Sequence, residues 1–355
     1  MEGVVDWESE ATVVSDRGDF AVRTDPFRRE LLVHCYRMMG SADEAEDLVQ
    51  ETYLRAWRSY DNFEGRSSLR TWLYRIATNS CLTALEHRGR RPLPSGLAAP
   101  QEQADTAVAL VRQEIDWLQP LADSEVWAAT SDPATVVVSR ESLRLGLIAA
   151  LQLLPPRQRA VLILRDVLAW SADEVADLLG TTTIAVRGLL RRARNQLEQA
   201  SPREEQLAEP DDPAVRALLE RYMAAFEHAD AVGLAELLRQ DAEFEMPPFV
   251  TWFRGRDAVA GFVGSTVFSL PGAFRMVATR ANGQPAVAGY LLGADGVYRA
   301  HAIQVLTITT GGIAHIASFL DPALFRWFGL PPIADDSGVP VANEPNRIAP
   351  CPSTP

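Results

Sequence analysis

Four arginines, Arg187, Arg191, Arg192 and Arg194, lie within eight residues of one another, in a stretch where Val186, Leu190, Ala193 and Leu197 recur every three or four positions. On a helix that spacing gathers the apolar set on one face and leaves Arg187, Arg191 and Arg194 on another. A cationic helical face of this kind suits phosphates, and a guanidinium fork suits the edge of guanine. A plain solvated face of a bundle helix has the same spacing. A second group lies in residues 66–91, where six Arg (66, 70, 75, 88, 90, 91) meet one acid, Glu86, with Trp72 and Tyr74 interleaved. Aromatics beside arginines fit a single strand, because bases stack on rings while cations track the backbone. Trp72 fits a core position equally well. A third group, His228, Glu245, His301, His315 and Asp321, offers acids and bases, but no spacing selects a dyad among them.

The elements that would carry these groups can be read from caps and breaks. Ser171 with Glu174 forms a capping box, Gly180 ends that short helix, and Thr181–Thr183 offer an N-cap for a last helix, Ile184–Gln199. Helix, glycine turn and helix make a helix-turn-helix signature. Upstream, Phe27–Met39 reads as one helix. Ser41 with Glu44 opens a second, and Leu69–His87 is a third after the loop Asp61–Ser68. The second helix is strongly acidic, with Asp43, Glu44, Glu46, Asp47 and Glu51. Past Pro213, helices Ala214–His228, Ala231–Arg239 and Arg256–Val263 and a strand pair near Phe244–Phe253 precede the runs Phe274–Ala281, Gln284–Leu292, Val297–Thr309 and Ile313–Phe319. Asn282-Gly283, Asp295-Gly296 and Gly311-Gly312 separate those runs as hairpin dipeptides.

This pattern predicts a multidomain chain: two all-α domains, the second a helix-turn-helix, followed by an α+β domain. Residues 1–25 read as a flexible tail, 26–91 as the first helical domain and 92–138 as a linker containing Trp-Leu-Gln-Pro. Residues 139–200 form the helix-turn-helix domain, 201–212 a second linker, 213–332 the α+β domain and 333–355 a disordered tail. All 34 basic residues are Arg and the charge is unevenly spread along the chain; the net charge is −13 and the pI near 4.9. Such a charge weakens non-specific DNA binding by the free protein. Cys35, Cys81 and Cys351 match no metal spacing. No apolar run is long enough for a membrane span and no secretory signal is visible, which points to the cytoplasm.

The stretch LPPRQRAVLILRDVLAWSADEVADLLGTTTIAVRGLLRRARNQL resembles the fourth region of sigma-70 family factors of the extracytoplasmic-function type, and SADEAEDLVQETYLRAWRSYDNFEGRSSLRTWLYRIATNSCLTALEHRGRR resembles their second region. The resemblance implies that core RNA polymerase and promoter DNA are the partners. It implies a polymerase grip at Asp47, Gln50, Glu51, Leu54 and Arg55. It implies minus-ten contacts at Asn62, Phe63, Arg66, Ser67, Arg70, Trp72, Arg75 and Asn79, with Arg88, Arg90 and Arg91 on phosphates. For the minus-thirty-five element it implies Thr182, Thr183, Ala185, Arg187, Gly188, Arg191, Arg192 and Arg194. Gly188-Leu189 departs from the small polar and basic pair common in the family, so the sequence read there does not carry over.

Residues 213–332 resemble the SnoaL-like polyketide cyclase fold, a cone with an internal pocket, by pattern rather than by motif. Some extracytoplasmic-function factors carry such an extension, and the resemblance implies that it regulates them. Trp117, Leu118 and Pro120 are expected to dock on this domain, with Phe325, Trp327 and Phe328 anchoring its last segment. Each aromatic also fits a local core. Met246, Trp252, Phe262 and Tyr290 fit a pocket lining for a small ligand, or plain core. No motif implies a cofactor or a metal, and no catalytic role is expected. The competing reading is a polymerase-independent helix-turn-helix regulator whose tail senses a ligand or, less favoured, catalyses.

Overall fold

The computed structural model describes residues 19–65, 67–103, 109–127, 141–200, 208 and 212–334. The chain divides into two compact units. One joins residues 1–91 to 125–202, and the other joins 92–124 to 203–355.

The first unit is helical. Its elements are α1 (Arg28–Met39), α2 (Ala42–Ser59), α3 (Leu69–Glu86), α4 (Leu145–Gln152), α5 (Pro156–Leu162), α6 (Ala172–Leu178) and α7 (Thr183–Ala200). Local chemistry sets their starts. Ser41 Oγ accepts from Glu44 N at 3.3 Å, Ser68 Oγ from Thr71 N at 3.0 Å, and Ser171 and Glu174 form the reciprocal capping box. Gly180 has φ +58, a left-handed turn that glycine adopts without strain, and α7 turns away from α6 there. Of the tail expected over residues 1–25, residues 1–18 lie outside the described residues. Residues 19–24 are helical because Phe20 is buried with its ring edge-on to Trp57 at 5.2 Å and Tyr60 at 5.0 Å.

Apolar packing of Leu31, Met38, Leu73 and Ala77 holds α1 against α3. Cys35 and Cys81 lie in the same core. Their mutual hydrogen bond, then burial, raises the Cys81 thiol well above its ordinary range, so both act as small core groups. Buried cations join the second helical module to the first. Arg159 of α5 donates to Met38 O, to Gln152 Oε1 at 2.7 Å, to Gln152 O at 3.1 Å and to Leu154 O at 3.2 Å. Its guanidinium thus sits at the carbonyl ends of α1 and α4, where helix dipoles favour a cation. Burial lowers its pKa to about 10. Arg37 of α1 reaches Ser142 Oγ at 2.5 Å.

The second unit contains α8 (Pro213–Glu227), α9 (Ala231–Leu237) and α10 (Arg256–Phe262). They pack on a sheet of β1 (Leu238–Glu245), β2 (Trp252–Arg254), β3 (Phe274–Ala281), β4 (Gln284–Leu292), β5 (Tyr298–Thr309) and β6 (Gly312–Phe319). The strand order is β2-β1-β6-β5-β4-β3, with β1 parallel to β6 and the other neighbours antiparallel. A short β7 (Ile333–Ala334) pairs with β5, so strand pairing extends past the expected boundary at 332; the rest of the tail expected over 333–355 lies outside the described residues. Asn282 and Gly283 turn β3 into β4 with φ +57 and +68, the hairpin geometry their sequence demands. The α9 helix stops at Leu237, before the expected Arg239, because Leu238 and Arg239 already belong to β1.

One sheet face and the helices enclose a core of Tyr222, Phe226, Phe244, Phe253, Phe262 and Leu306. Phe253 stacks on Phe262 at 4.1 Å. Met246 and Phe262 are part of this core, so both are packing residues here.

Candidate functional site

The α7 helix presents Arg187, Arg191 and Arg192 to solvent. Thr182 caps it, its Oγ1 accepting from Ala185 N at 3.2 Å, and Thr183 Oγ1 donates to Asp173 Oδ1 at 2.9 Å. Ala185 and Gly188 are half-buried. A Cβ built on Gly188 would meet only Arg192 Nη1, at 3.7 Å, so sterics do not require glycine. Arg194 differs from the other three. It forms a two-point pair with Asp166, Nε to Oδ2 at 2.8 Å and Nη2 to Oδ1 at 2.6 Å, which braces α7 on the turn after α5.

In the first module the expected DNA-binding arginines meet acids. Arg70 makes a forked pair with Glu30 at 2.7–3.0 Å, which raises its pKa. Arg88 and Arg91 both reach Glu44 of α2, Arg91 Nη2 at 2.9 Å. Arg75 pairs with Asp177 of α6, and Tyr74 packs edge-on against Trp170 at 5.7 Å. Trp72 and Phe63 are half-buried, with ring centroids 4.8 Å apart and tilted by 34°. Asn62, Asn79 and Arg90 are exposed and Ser67 is half-buried; Arg66 lies outside the described residues.

On α2, Asp47, Gln50, Leu54 and Arg55 are exposed, and Leu54 keeps 51% of its surface open. Glu51 accepts from Arg55 Nε at 2.6 Å, and Gln50 Nε2 donates to Glu46 at 3.1 Å.

Residues 92–103 and 109–124 are not a free linker. They lie on the sheet of the second unit as a strap. At one sheet edge Gln101 N donates to Trp252 O at 2.8 Å and Arg254 N to Gln101 O at 3.0 Å. Val250 N donates to Val111 O at 2.8 Å, and Gln113 N to Pro248 O at 3.0 Å. At the β3–β4 hairpin, Leu121 N donates to Asn282 Oδ1 at 3.0 Å and Gly283 N to Asp123 Oδ1 at 2.8 Å. Leu118 and Leu121 are fully buried and Pro120 is buried; Trp117 is half-buried and donates to Gln113 O at 3.1 Å. Trp252 Nε1 donates to Ala98 O at 2.8 Å, so this side chain holds the strap instead of lining a pocket. Phe325 is buried against Tyr290 at 5.0 Å, and the Tyr290 hydroxyl donates to Pro331 O at 3.0 Å. Trp327 and Phe328 are half-buried.

Sequence reasoning did not pair Glu245 with His315. Strand residues alternate between faces, so Glu243 and Glu245 of β1 lie opposite the core residues Ala242 and Phe244. The parallel register sets His315 beside Glu243 and Ala317 beside Glu245. Buried Glu245 accepts from His315 Nε2 at 2.8 Å, from Ser95 N at 2.8 Å and from Ser95 Oγ at 3.2 Å. Burial opposes charge on His315, but the hydrogen bond and charge of Glu245, with Glu243, outweigh it and raise the pKa. Glu243 itself accepts from Arg254 Nε at 3.0 Å. Glu243, Glu245 and His315 bring ligand-type atoms within 4.8 Å, yet their contacts already go to Arg254, Ser95 and one another. The remaining acids and bases stand apart. His228 bonds Ala224 O, His301 lies by Phe274, and Asp321 caps the turn at Ala323. Among the described residues no helix is long and apolar enough to cross a membrane.

Residues 25–91 match the family model for Sigma-70 region 2, residues 144–197 that for Sigma-70, region 4, and residues 219–316 that for a SnoaL-like domain. The extracytoplasmic-function RNA polymerase sigma factor SigG of Mycobacterium tuberculosis is 52% identical over 318 residues, covering 89% of this chain and 85% of that protein. SigJ of the same species is 29% identical over 313 residues, covering 85% and 91%. The crystal structure of SigJ matches with a TM-score of 0.57 at 25% identity, covering 86% of this chain and 98% of that one.

Proposed function

Because the chain belongs to the extracytoplasmic-function RNA polymerase sigma factors, we propose that it binds core RNA polymerase through α2 and reads a promoter through α3 and α7, with the strap-bearing domain limiting when it does so. The grip is Asp47, Gln50, Glu51, Leu54 and Arg55, and the minus-thirty-five readers are the exposed Arg187, Arg191 and Arg192. Arg194 braces the helix instead of reading bases. The minus-ten readers Arg70, Arg75, Arg88 and Arg91 become available only when their acid partners release them. No side chain has a catalytic role in this reading, and the protein works in the cytoplasm with the polymerase.

The observation that carries the regulatory part is one hydrogen bond. Leu118 N donates to Pro92 O at 3.2 Å, so the docked strap returns almost to where it began. The two promoter elements are about 25 base pairs apart, or about 85 Å of duplex at about 3.4 Å per step. Residues 92–118 would span about 85 Å if extended at about 3.3 Å per residue. Docked, they contribute no reach. The Arg75–Asp177 pair likewise holds the two reading modules in contact. A strap lifted from the sheet restores the length that simultaneous reading needs.

Two measurements test this. Core polymerase should be retained by the full chain and lost on Glu51→Arg with Leu54→Ala; retention by that variant removes α2 as the grip. Glu245→Gln, which loosens Ser95, should raise transcription from a cognate promoter at equal protein. Unchanged or reduced output would reject the strap as a restraint.

A further inference from the structure

We propose that a groove beside the strap's end binds a small organic carboxylate with an apolar body, and that this ligand loosens the strap. The groove offers about 490 Å³ and is open to solvent along one side, a volume within the range of small-molecule sites. The strap's end supplies Asp123 to its wall, β3 supplies Arg280, α8 supplies Arg216 and Leu219, and Phe328 completes it. The groove adjoins the core: Val215 of its wall belongs to the core and Leu219 packs against it, while Phe226, Phe244 and Phe262 fill the space on the helix-facing side of the sheet.

The chemistry of the ligand follows from the walls. Two guanidiniums favour an anion, and their planar forks match a carboxylate. Leu219 and Phe328 favour an apolar body on that anion. The resident anion is Asp123, whose Oδ2 lies 3.5 Å from Arg280 Nε. Its Oδ1 accepts from Gly283 N at 2.8 Å. An incoming carboxylate therefore competes with Asp123 for Arg280, and what it displaces is the strap's own attachment next to Leu121 and Ala122. Binding and strap release are thus coupled through one guanidinium. The binding claim stands on the groove; its effect on transcription rests on the tethering proposed above.

Isothermal titration of the full chain with 2-naphthoate tests the site, with neutral 2-naphthalenemethanol as the control. One naphthoate should bind per chain, and the alcohol at least tenfold more weakly. Arg280→Gln should weaken naphthoate at least tenfold. Asp123→Asn should tighten it several-fold, because the competing anion is gone. Equal affinity for acid and alcohol, indifference to Arg280→Gln, or no binding at several millimolar overturns the site. Circular dichroism verifies each fold, and Arg216→Gln replaces Arg280→Gln if that variant melts early. Trypsin cleavage after Arg112 on the strap should quicken at saturating naphthoate. Binding with unchanged cleavage overturns the coupling, whatever the transcription assay shows.

Discussion

Arg75 of α3 and Asp177 of α6 form an ion pair across 102 residues of sequence, joining a residue proposed above to read melted DNA to the first helix of the helix-turn-helix. Asp177 is 74% exposed, so the pair adds only about 0–1 kcal/mol to folding. Its importance is occupancy. While Asp177 holds Arg75, a phosphate cannot.

Asp177→Asn should therefore leave the melting temperature within about 2 °C of the parent while strengthening binding of a single-stranded minus-ten oligonucleotide by about two- to fivefold, in line with about 1 kcal/mol. Fluorescence anisotropy reads it. Unchanged affinity would show that Arg75 is not limiting.

Arg187 and Arg194 should separate cleanly. Arg187→Ala is expected to weaken promoter footprints and relax preference at one base pair, by about 1–3 kcal/mol if the contact is bidentate to guanine. Arg194→Ala should leave that preference intact, since its fork is occupied by Asp166. The reverse result would exchange their roles.

Gly188→Ala should stabilise α7 by about 1 kcal/mol, the helix-propensity difference, because nothing crowds a methyl group there. Thermal melting measures the gain. A gain in stability with a loss of DNA affinity would mean that Gly188 is kept for close approach to the duplex.

Two histidines give opposite pH slopes. His34 is buried, bonded to Thr78 Oγ1 at 2.9 Å, and burial then Arg37 lowers its pKa to about 3. The unfolded chain takes up this proton near pH 6.5 and the folded chain does not, so the helical unit loses about 1.4 kcal/mol per pH unit from this group below that point. His34→Gln should flatten the slope in acid denaturation. His315 has a raised pKa, so its contribution is complete below the ordinary histidine value and is lost as pH rises through the raised one. Between Glu245, Glu243 and Arg254, it should release Ser95 on the alkaline side. Faster trypsin cleavage after Arg112 with rising pH, abolished by His315→Gln, is the expected result.

What the sequence made legible was local. Ser171 with Glu174 and Asn282 with Gly283 determine their own geometry within four residues, and helices and hairpins appeared where those signals stand. Trp57 is 38% exposed, and the side it does cover is met by Phe20 from a segment read as loose. Non-local pairings were not legible. Arg70 finds Glu30 across 40 residues and Glu245 finds His315 across 70, and each depends on a register or crossing that no single window encodes. In the strap, Trp117, Leu118 and Pro120 were expected to dock on the downstream domain, but the backbone pairing at Gln101, Val111 and Gln113 was not foreseen. The strap's proline- and glycine-rich composition reads as a linker, yet its backbone groups have partners in a sheet encoded far downstream.

That order in the gene has a consequence in time. The strap leaves the ribosome roughly 200 residues before β6, which at about 5–20 residues per second is about 10–40 s. Both helical modules are complete long before the sheet exists. On the tethering proposed above, every newly made copy would pass through an interval in which Leu118 and Leu121 have no sheet to rest on and the tether is at full length. Burst-like synthesis would supply short-lived, unrestrained molecules in proportion to translation rate, before any ligand has been met.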